Sequence, residues 1–405
     1  MGFSLNKKTI SDVELSWFEG SGVVVRADLN VPLDDGVVAD DQRIRASLPT
    51  LRFLTSSGAR VVLLSHLGRP KGEVDPEFSL APVAARLDEL IEAPVRFIPH
   101  SDGAEAASQV AEVPQGGIAL LENTRFLAGE TKNDPALAQS WAELGELFVN
   151  DAFGTAHRAH ASTVGLAEAM RARGHDAVAG LLMARELRYL ESVLRAPERP
   201  FVAIIGGAKI SSKIGVVSAL LPRVDRLLIG GAMANTFFRA LGLETGASLV
   251  EEDSLDVAAR LLEEAGERMV LPIDCVVASE VSEHASARVV ARDAVQGEDK
   301  ILDIGPKTRE RFGDMIGRAR SIVWNGPMGV FEMEPFAGGT LSIVEAVALA
   351  CDGGALGVLG GGDSAAAAER AGVAHRLTHV STGGGASLEL LAGAVLPGVD
   401  ALSDF

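Results

Sequence analysis

Phe201-Val202-Ala203-Ile204-Ile205-Gly206-Gly207-Ala208-Lys209 is the stretch on which the fold turns. An unbroken apolar run rich in branched side chains, with no alternation, reads as a strand buried on both faces, as strands of parallel sheets are. The glycines and lysine that follow sit where such a strand would end. The same grammar recurs upstream at Val23 to Val25, Val61 to Leu64, Ile118 to Leu121 and Leu147 to Val149. Downstream it recurs at Arg226 to Ile229, Val270 to Ile273, Ser321 to Trp324, Ala355 to Leu359 and His379 to Ser381. Longer amphipathic stretches separate these runs, and that alternation predicts an α/β fold with doubly wound parallel sheets.

Two sets of strands flank one long periodic segment, Leu181 to Arg195, which carries Leu182, Leu187, Leu190 and Leu194 and stops before Pro197 and Pro200. The expected organisation is two Rossmann-like domains, 1–180 and 201–385, joined by a connecting helix and hinge at 181–200. Ser387 to Ala394 reads as one further helix, and the tail 386–405 is expected to return to the first domain.

The chain has 405 residues, more than one domain at the usual ~150 per domain, and 47% of them are apolar, ample for packed cores. A formal charge of −18 argues against a nucleic-acid or polybasic membrane-surface protein, so an anionic ligand must find a local basic pocket. Cys275 and Cys351 stand far apart with no second pair beside either, which excludes a readable disulfide framework or zinc site. With no signal-like apolar start and no run long enough to span a bilayer, a soluble cytoplasmic protein is expected. No extended apolar stripe is evident, and a monomer is expected.

Ligands of open α/β sheets bind beyond the carboxyl ends of the strands. In the first half those ends read Arg26-Ala27-Asp28-Leu29-Asn30, Ser65-His66-Leu67-Gly68-Arg69, Glu122-Asn123-Thr124-Arg125, and Asn150-Asp151 running on to His157-Arg158-Ala159-His160. Forked guanidinium donors match phosphate and carboxylate geometry, so Arg26, Arg43, Arg69, Arg125 and Arg158 point as a set to a small multiply charged anion. Taken singly, each is more simply a solvated arginine, and Arg26 could pair with Asp28. His66 reads equally as ligand contact or loop histidine, while His157 and His160 lean structural.

In the second half the ends are Gly206-Gly207-Ala208-Lys209, Gly230-Gly231-Ala232-Met233, Asn325-Gly326-Pro327, Gly360-Gly361-Gly362-Asp363-Ser364 and Ser381-Thr382-Gly383-Gly384-Gly385. Glycine runs that open helices let N–H groups and the helix dipole face a phosphate. One such run alone is more simply a tight turn; several in one half indicate a nucleotide site. Lys209 is placed as a point charge for phosphate. Asp363 is either the single carboxylate that anchors a magnesium otherwise held by water and phosphate, or a helix cap. Gly360-x-Gly362-x-x-Ala365 also matches a dinucleotide fingerprint, but no acidic residue follows at the required distance. Neither a Walker loop nor a protein-kinase catalytic loop is present.

Taken together and in order, these segments resemble the phosphoglycerate kinase family over essentially the whole chain. Val25-Arg26-Ala27-Asp28-Leu29-Asn30-Val31-Pro32, Ser65 to Pro70, Asn150 to His160, Gly206 to Lys209, Trp324 to Pro327, Gly360 to Asp363 and Ser381 to Gly385 carry the match. Two departures stand out: Ser364 where many members have threonine, and Ala232 where many have a third glycine. The resemblance implies reversible phosphoryl transfer from 1,3-bisphosphoglycerate to Mg-ADP, giving 3-phosphoglycerate and Mg-ATP in glycolysis. It assigns Asp28, Asn30, Arg43, His66, Arg69, Arg125 and Arg158 to the three-carbon acid. It assigns Gly207, Lys209, Lys213, Gly231, Asn325, Pro327, Glu332, Gly362, Asp363 and Ser364 to the nucleotide, with Mg2+ at Asp363. Arg43 and Lys209, with the N–H groups of Gly361, Gly362, Gly384 and Gly385, would stabilise the transferring group, and a hinge would close over it. A catalytically inert relative kept as a scaffold would be expected to lose Arg43, Lys209 or Asp363; all are present.

Overall fold

A computed structural model describes residues 6–405. The chain divides into two compact units, one of residues 1–188 with 395–405 and the other of residues 189–394.

The first unit holds β1 (Gly22–Arg26), a small hairpin of β2 (Leu33–Asp34) and β3 (Val37–Val38), then β4 (Arg60–Leu64), β5 (Val95–Ile98), β6 (Ile118–Leu121), β7 (Leu147–Asn150) and β8 (Ala177–Ala179). Apart from the hairpin, these strands form one six-stranded sheet in the order β5-β6-β4-β1-β7-β8, parallel throughout. The order in which strands are added reverses between β1 and β7, so the carboxyl ends of those strands make the natural ligand crevice. Val23, Val25, Val61, Leu63, Leu120 and Val149 are fully buried in the core beneath it. Helix Gln42–Ser56 opens just after Asp41 and contains Pro49.

The second unit begins with β9 (Phe201–Ile205), β10 (Arg226–Ile229) and β11 (Met269–Val270), followed by β12 (Asp274–Ala278), β13 (Arg288–Ala291) and β14 (Lys300–Ile304). It ends with β15 (Ser321–Asn325), β16 (Leu356–Gly360) and β17 (His379–Val380). A parallel six-stranded sheet runs β11-β10-β9-β15-β16-β17, with its switch between β9 and β15. The strand expected over Val270 to Ile273 is only two residues long, because Pro272 cannot donate to a ladder. The chain then re-enters a separate antiparallel sheet, β13-β12-β14, which the sequence reading did not include.

The changeover falls within helix Leu181–Arg195, inside the connecting segment 181–200. One boundary differs from the sequence reading. Residues 386–394 stay with the second unit, because helix Gly384–Leu391 packs on helix Ile214–Leu220 and on β16. Only the segment from Val395 onward groups with the first unit: Ser403 N donates to Ala177 O at 2.7 Å and Asn150 Nδ2 to Gly398 O at 3.1 Å.

Candidate active site

In the first unit, loops at the carboxyl ends of β1, β4, β6 and β7 gather the expected cations. A cleft of about 560 Å3 is lined by Arg69, Arg125 and Arg158, together with Lys71, Lys132 and His160, and no carboxylate lines it. Arg69 and Arg158 are exposed, whereas Arg125 is buried and donates through NH1 to the Gly68 carbonyl at 2.6 Å. Burial and the nearby guanidiniums of Arg26 and Arg158 hold Arg125 down to about 10, still charged at neutral pH. Like charges crowded in this way are relieved by an incoming anion.

Asp28, Asn30, Arg43 and His66 do not line that cleft, and among these four only Arg43 and Asp28 are hydrogen-bonded to each other. Arg43 NH1 donates to Asp28 Oδ2 at 3.0 Å. Asn30 Oδ1 accepts Gly68 N–H at 2.8 Å, so Asn30 and Arg125 fix the same loop from two sides. His66 is buried, and its Nδ1 lies 3.0 Å from Arg26 NH2 and 4.0 Å from Asp28 Oδ1. Burial, reinforced by Arg26, Arg125 and Arg43, drives its pKa well below the ordinary histidine value, so His66 is neutral and Nδ1 accepts from Arg26.

Arg26 is not a ligand candidate, and it does not hydrogen-bond Asp28. It is 1% exposed and donates to Ser162 Oγ at 2.8 Å, to the Ala27 carbonyl and to His66. Ser162 sits in a π-helical turn, Ala161–Gly165, and passes the connection to buried Glu130, whose Oε1 accepts the Ser162 hydroxyl at 2.6 Å. Glu130 Oε1 also lies 3.8 Å from His160 Nδ1. This buried acid balances cations around the cleft without entering it, and nothing in the local sequence Gly129-Glu130-Thr131 announces that role. Lys71 and Lys132 were likewise missed, since loop lysines follow no period.

In the second unit, backbone contacts stitch the glycine loops together. Gly206 N donates to Asn325 O at 2.9 Å, Gly207 N to Pro327 O at 3.0 Å and Gly231 N to Met328 O at 2.9 Å. Gly231, at φ 68°, packs so closely that a Cβ would lie 2.6 Å from Gly207 N, which excludes any side chain there. Trp324, buried in the core, donates Nε1 to Gly326 O at 2.7 Å and sets the height of the β15 loop.

Lys209 is exposed on the loop after β9. Lys213 is half-buried and donates to Asn325 Oδ1, while Asn325 Nδ2 donates to Gly360 O at 2.7 Å. Burial lowers the Lys213 pKa and Asp363 opposes that, which marks this ammonium and carboxylate as neighbours. Gly361, at φ 97°, caps helix Gly362–Arg370, so Asp363 stands in the first turn rather than at the cap and makes no capping bond. Asp363 is exposed; among the described residues no three acidic, histidine or cysteine side chains converge. One exposed carboxylate in the first turn of a helix is a donor set that would suit a magnesium held otherwise by water and phosphate.

The Ser364 hydroxyl is buried and accepts Gly326 N–H at 2.8 Å, an occupation that serves loop packing. Pro327 is half-buried on the β15 loop, and Glu332 is exposed further along it. Gly383 caps helix Gly384–Leu391, whose first N–H groups have no helical acceptor.

Comparison with known proteins shows what the chain is similar to. The family model described as phosphoglycerate kinase matches residues 10–394. The phosphoglycerate kinase of Chloroflexus aurantiacus is 55% identical, over 99% of this chain and 100% of that one. That of Rubrobacter xylanophilus is 53% identical, over 99% of each. Among solved structures, the phosphoglycerate kinase of Coxiella burnetii superposes with a TM-score of 0.86 at 41% identity, covering 98% of both chains. The dinucleotide fingerprint at Gly360 is thereby accounted for as a family loop, and the chain belongs to the phosphoglycerate kinase family.

Proposed function

We propose that the chain catalyses reversible phosphoryl transfer between 1,3-bisphosphoglycerate and Mg-ADP, with the acid held by the first unit and the nucleotide by the second. The observation that carries the residue assignment is the division of labour: a cation-only cleft lies in one unit, and stitched glycine loops bearing Lys209 and Lys213 lie in the other. In the direction of ATP use, a carboxylate oxygen of 3-phosphoglycerate attacks the γ-phosphorus, and the bond to the bridging oxygen of ADP breaks. That carboxylate is ionised at pH 7, so no general base is needed.

What the protein supplies is alignment and charge. Arg69, Arg125 and Arg158 hold the acid's phosphate, and Asp28, Asn30 and His66 orient its other end. Arg43 and Lys209 stabilise the moving phosphoryl group, aided by N–H groups of Gly361, Gly362, Gly384 and Gly385. Gly207, Gly231, Asn325, Pro327 and Glu332 position the nucleotide, and Ser364 ties the helix start that carries Asp363 to the β15 loop. Asp363 would hold the magnesium of the nucleotide, whose charge would screen the phosphates. Among the described residues no helix is long and apolar enough to cross a membrane. A cytoplasmic monomer suits this reading.

A coupled assay tests it: ATP consumption should depend on both 3-phosphoglycerate and magnesium. No turnover with a folded enzyme would defeat the proposal.

A further inference from the structure

One carboxylate with no role so far is built into the nucleotide side of the second unit. Glu251 Oε1 accepts the Ser211 hydroxyl at 2.6 Å, and Oε2 accepts Ser211 N–H at 3.0 Å. Against the burial that would raise its pKa, hydrogen bonds from Ser211 and Ile210 and the charge of Lys209 hold it below the ordinary carboxylate value.

Glu251 is itself anchored. Its N–H donates to Thr236 Oγ1 at 3.1 Å, and Asn235 Nδ2 donates to Leu249 O at 3.2 Å. Asn235 and Thr236 lie in helix Met233–Ala240, which opens directly from the Gly230-Gly231-Ala232 loop and whose Met233 N donates to Gly207 O at 3.0 Å. The segment therefore braces the first glycine loop against the helix of the second. It grips that loop at Ser211, between Lys209 and Lys213. Ala208, Lys209, Ser211 and Ser212 are exposed, and the turn's own bonds are few: Lys213 N to Ile210 O at 2.8 Å and Ser212 Oγ to Lys209 O at 2.9 Å. Ile210 is buried beneath this turn, but its exposed residues have few bonds of their own, so an outside anchor is needed if its lysines are to be preorganised.

We infer that Glu251 is a positioning residue for the nucleotide, clamping the Ile210–Ser211 turn so that Lys209 and Lys213 meet the phosphate chain together. The inference rests on the nucleotide role given to those two lysines. Its test is ADP binding with magnesium, steady-state kinetics and amide exchange in the parent, Glu251→Ala, Glu251→Gln, Ser211→Ala and Lys209→Ala enzymes.

Loss of a charge-assisted clamp should raise Kd and KM for the nucleotide about tenfold in Glu251→Ala. It should leave KM for 3-phosphoglycerate unchanged and speed exchange over residues 208–213. Glu251→Gln, which keeps an acceptor, should recover to within about threefold of the parent, and Ser211→Ala should add nothing in the Glu251→Ala background. Parent-like ADP binding by Glu251→Ala, beside weak binding by Lys209→Ala, overturns the inference alone. Parent-like binding by both overturns the lysine assignment as well. Equal weakening of both substrates also overturns it, since that is general destabilisation. If Glu251→Ala does not fold, Ser211→Ala decides: a nucleotide-only rise of about threefold supports the clamp, and no rise overturns it.

Discussion

Arg43 NH1 stands 3.0 Å from Asp28 Oδ2, a pair in which the carboxylate is 11% exposed and the guanidinium 39%. The acid is the fixed partner and the base the reaching one, so Asp28 aims Arg43 rather than neutralising it deep in the protein. Ion pairs this exposed add little stability, which leaves orientation as the reason for the contact. If Arg43 acts on the moving phosphoryl group, Arg43→Ala should lower kcat roughly 100-fold or more, the cost of removing one preorganised donor, with nucleotide KM nearly unchanged. A variant retaining kcat within a few-fold of the parent would remove Arg43 from the chemistry.

Asp363 lies inside the first turn of its helix, so its loss forfeits only a dipole interaction of about 0.3–1 kcal/mol. Asp363→Asn should therefore shift Tm slightly while raising the magnesium concentration needed for half-maximal activity. A large fall in Tm with the magnesium dependence unchanged would assign Asp363 a structural role instead.

Much of this was legible because parallel strands buried on both faces announce themselves as apolar runs. Phe201–Ile205 and Ser321–Asn325 are buried throughout, and their ends carry the glycines and charges named above. Edge elements were not legible. In β5, Val95–Ile98 has only Ile98 fully buried, and β13, Arg288–Ala291, carries the short run Val289-Val290-Ala291 largely exposed, unlike a strand buried on both faces. At the site, residue type identified the cation set but not its wiring. That Arg26 turns inward to Ser162 and Glu130, while Arg125 lines the cleft, depends on a π-helical turn far along the chain.

Asp151 provides a pH signature. Burial pushes its carboxyl up from 3.8 to about 6, although Thr50 and the N–H groups of Met183 and Leu182 favour the charged form. Those two N–H groups, at 3.1 and 2.9 Å, belong to the first turn of helix Leu181–Arg195. Between 3.8 and about 6 the native state binds a proton that the unfolded chain has released, so stability from this group falls as pH rises through that window. Above it, the parent carries a cost of roughly 2–3 kcal/mol that an amide would avoid. Asp151→Asn keeps an acceptor for the helix N–H groups. Its Tm relative to the parent should therefore climb between pH 4 and pH 7 and then level off. A difference independent of pH would show that Asp151 is ionised in both states.

The residues assigned to the acid belong to one unit, and those assigned to the nucleotide to the other. Transfer requires the reacting atoms to come within about 3–3.5 Å, in line, with water excluded from the acyl phosphate. If each substrate is bound mainly by one unit, neither alone supplies the contacts that would hold the two together around a shared phosphoryl group. The predicted cycle therefore includes a closure that both substrates drive. Helix Leu181–Arg195, within which the chain passes from one unit to the other, and the Gly383-Gly384-Gly385 run are the segments expected to absorb the rotation. Small-angle scattering should show the radius of gyration falling most when 3-phosphoglycerate and a non-hydrolysable Mg-nucleotide are present together, and little with either alone. Full compaction by a single ligand would mean that one substrate suffices, and no compaction by the pair would mean that transfer occurs without a hinge.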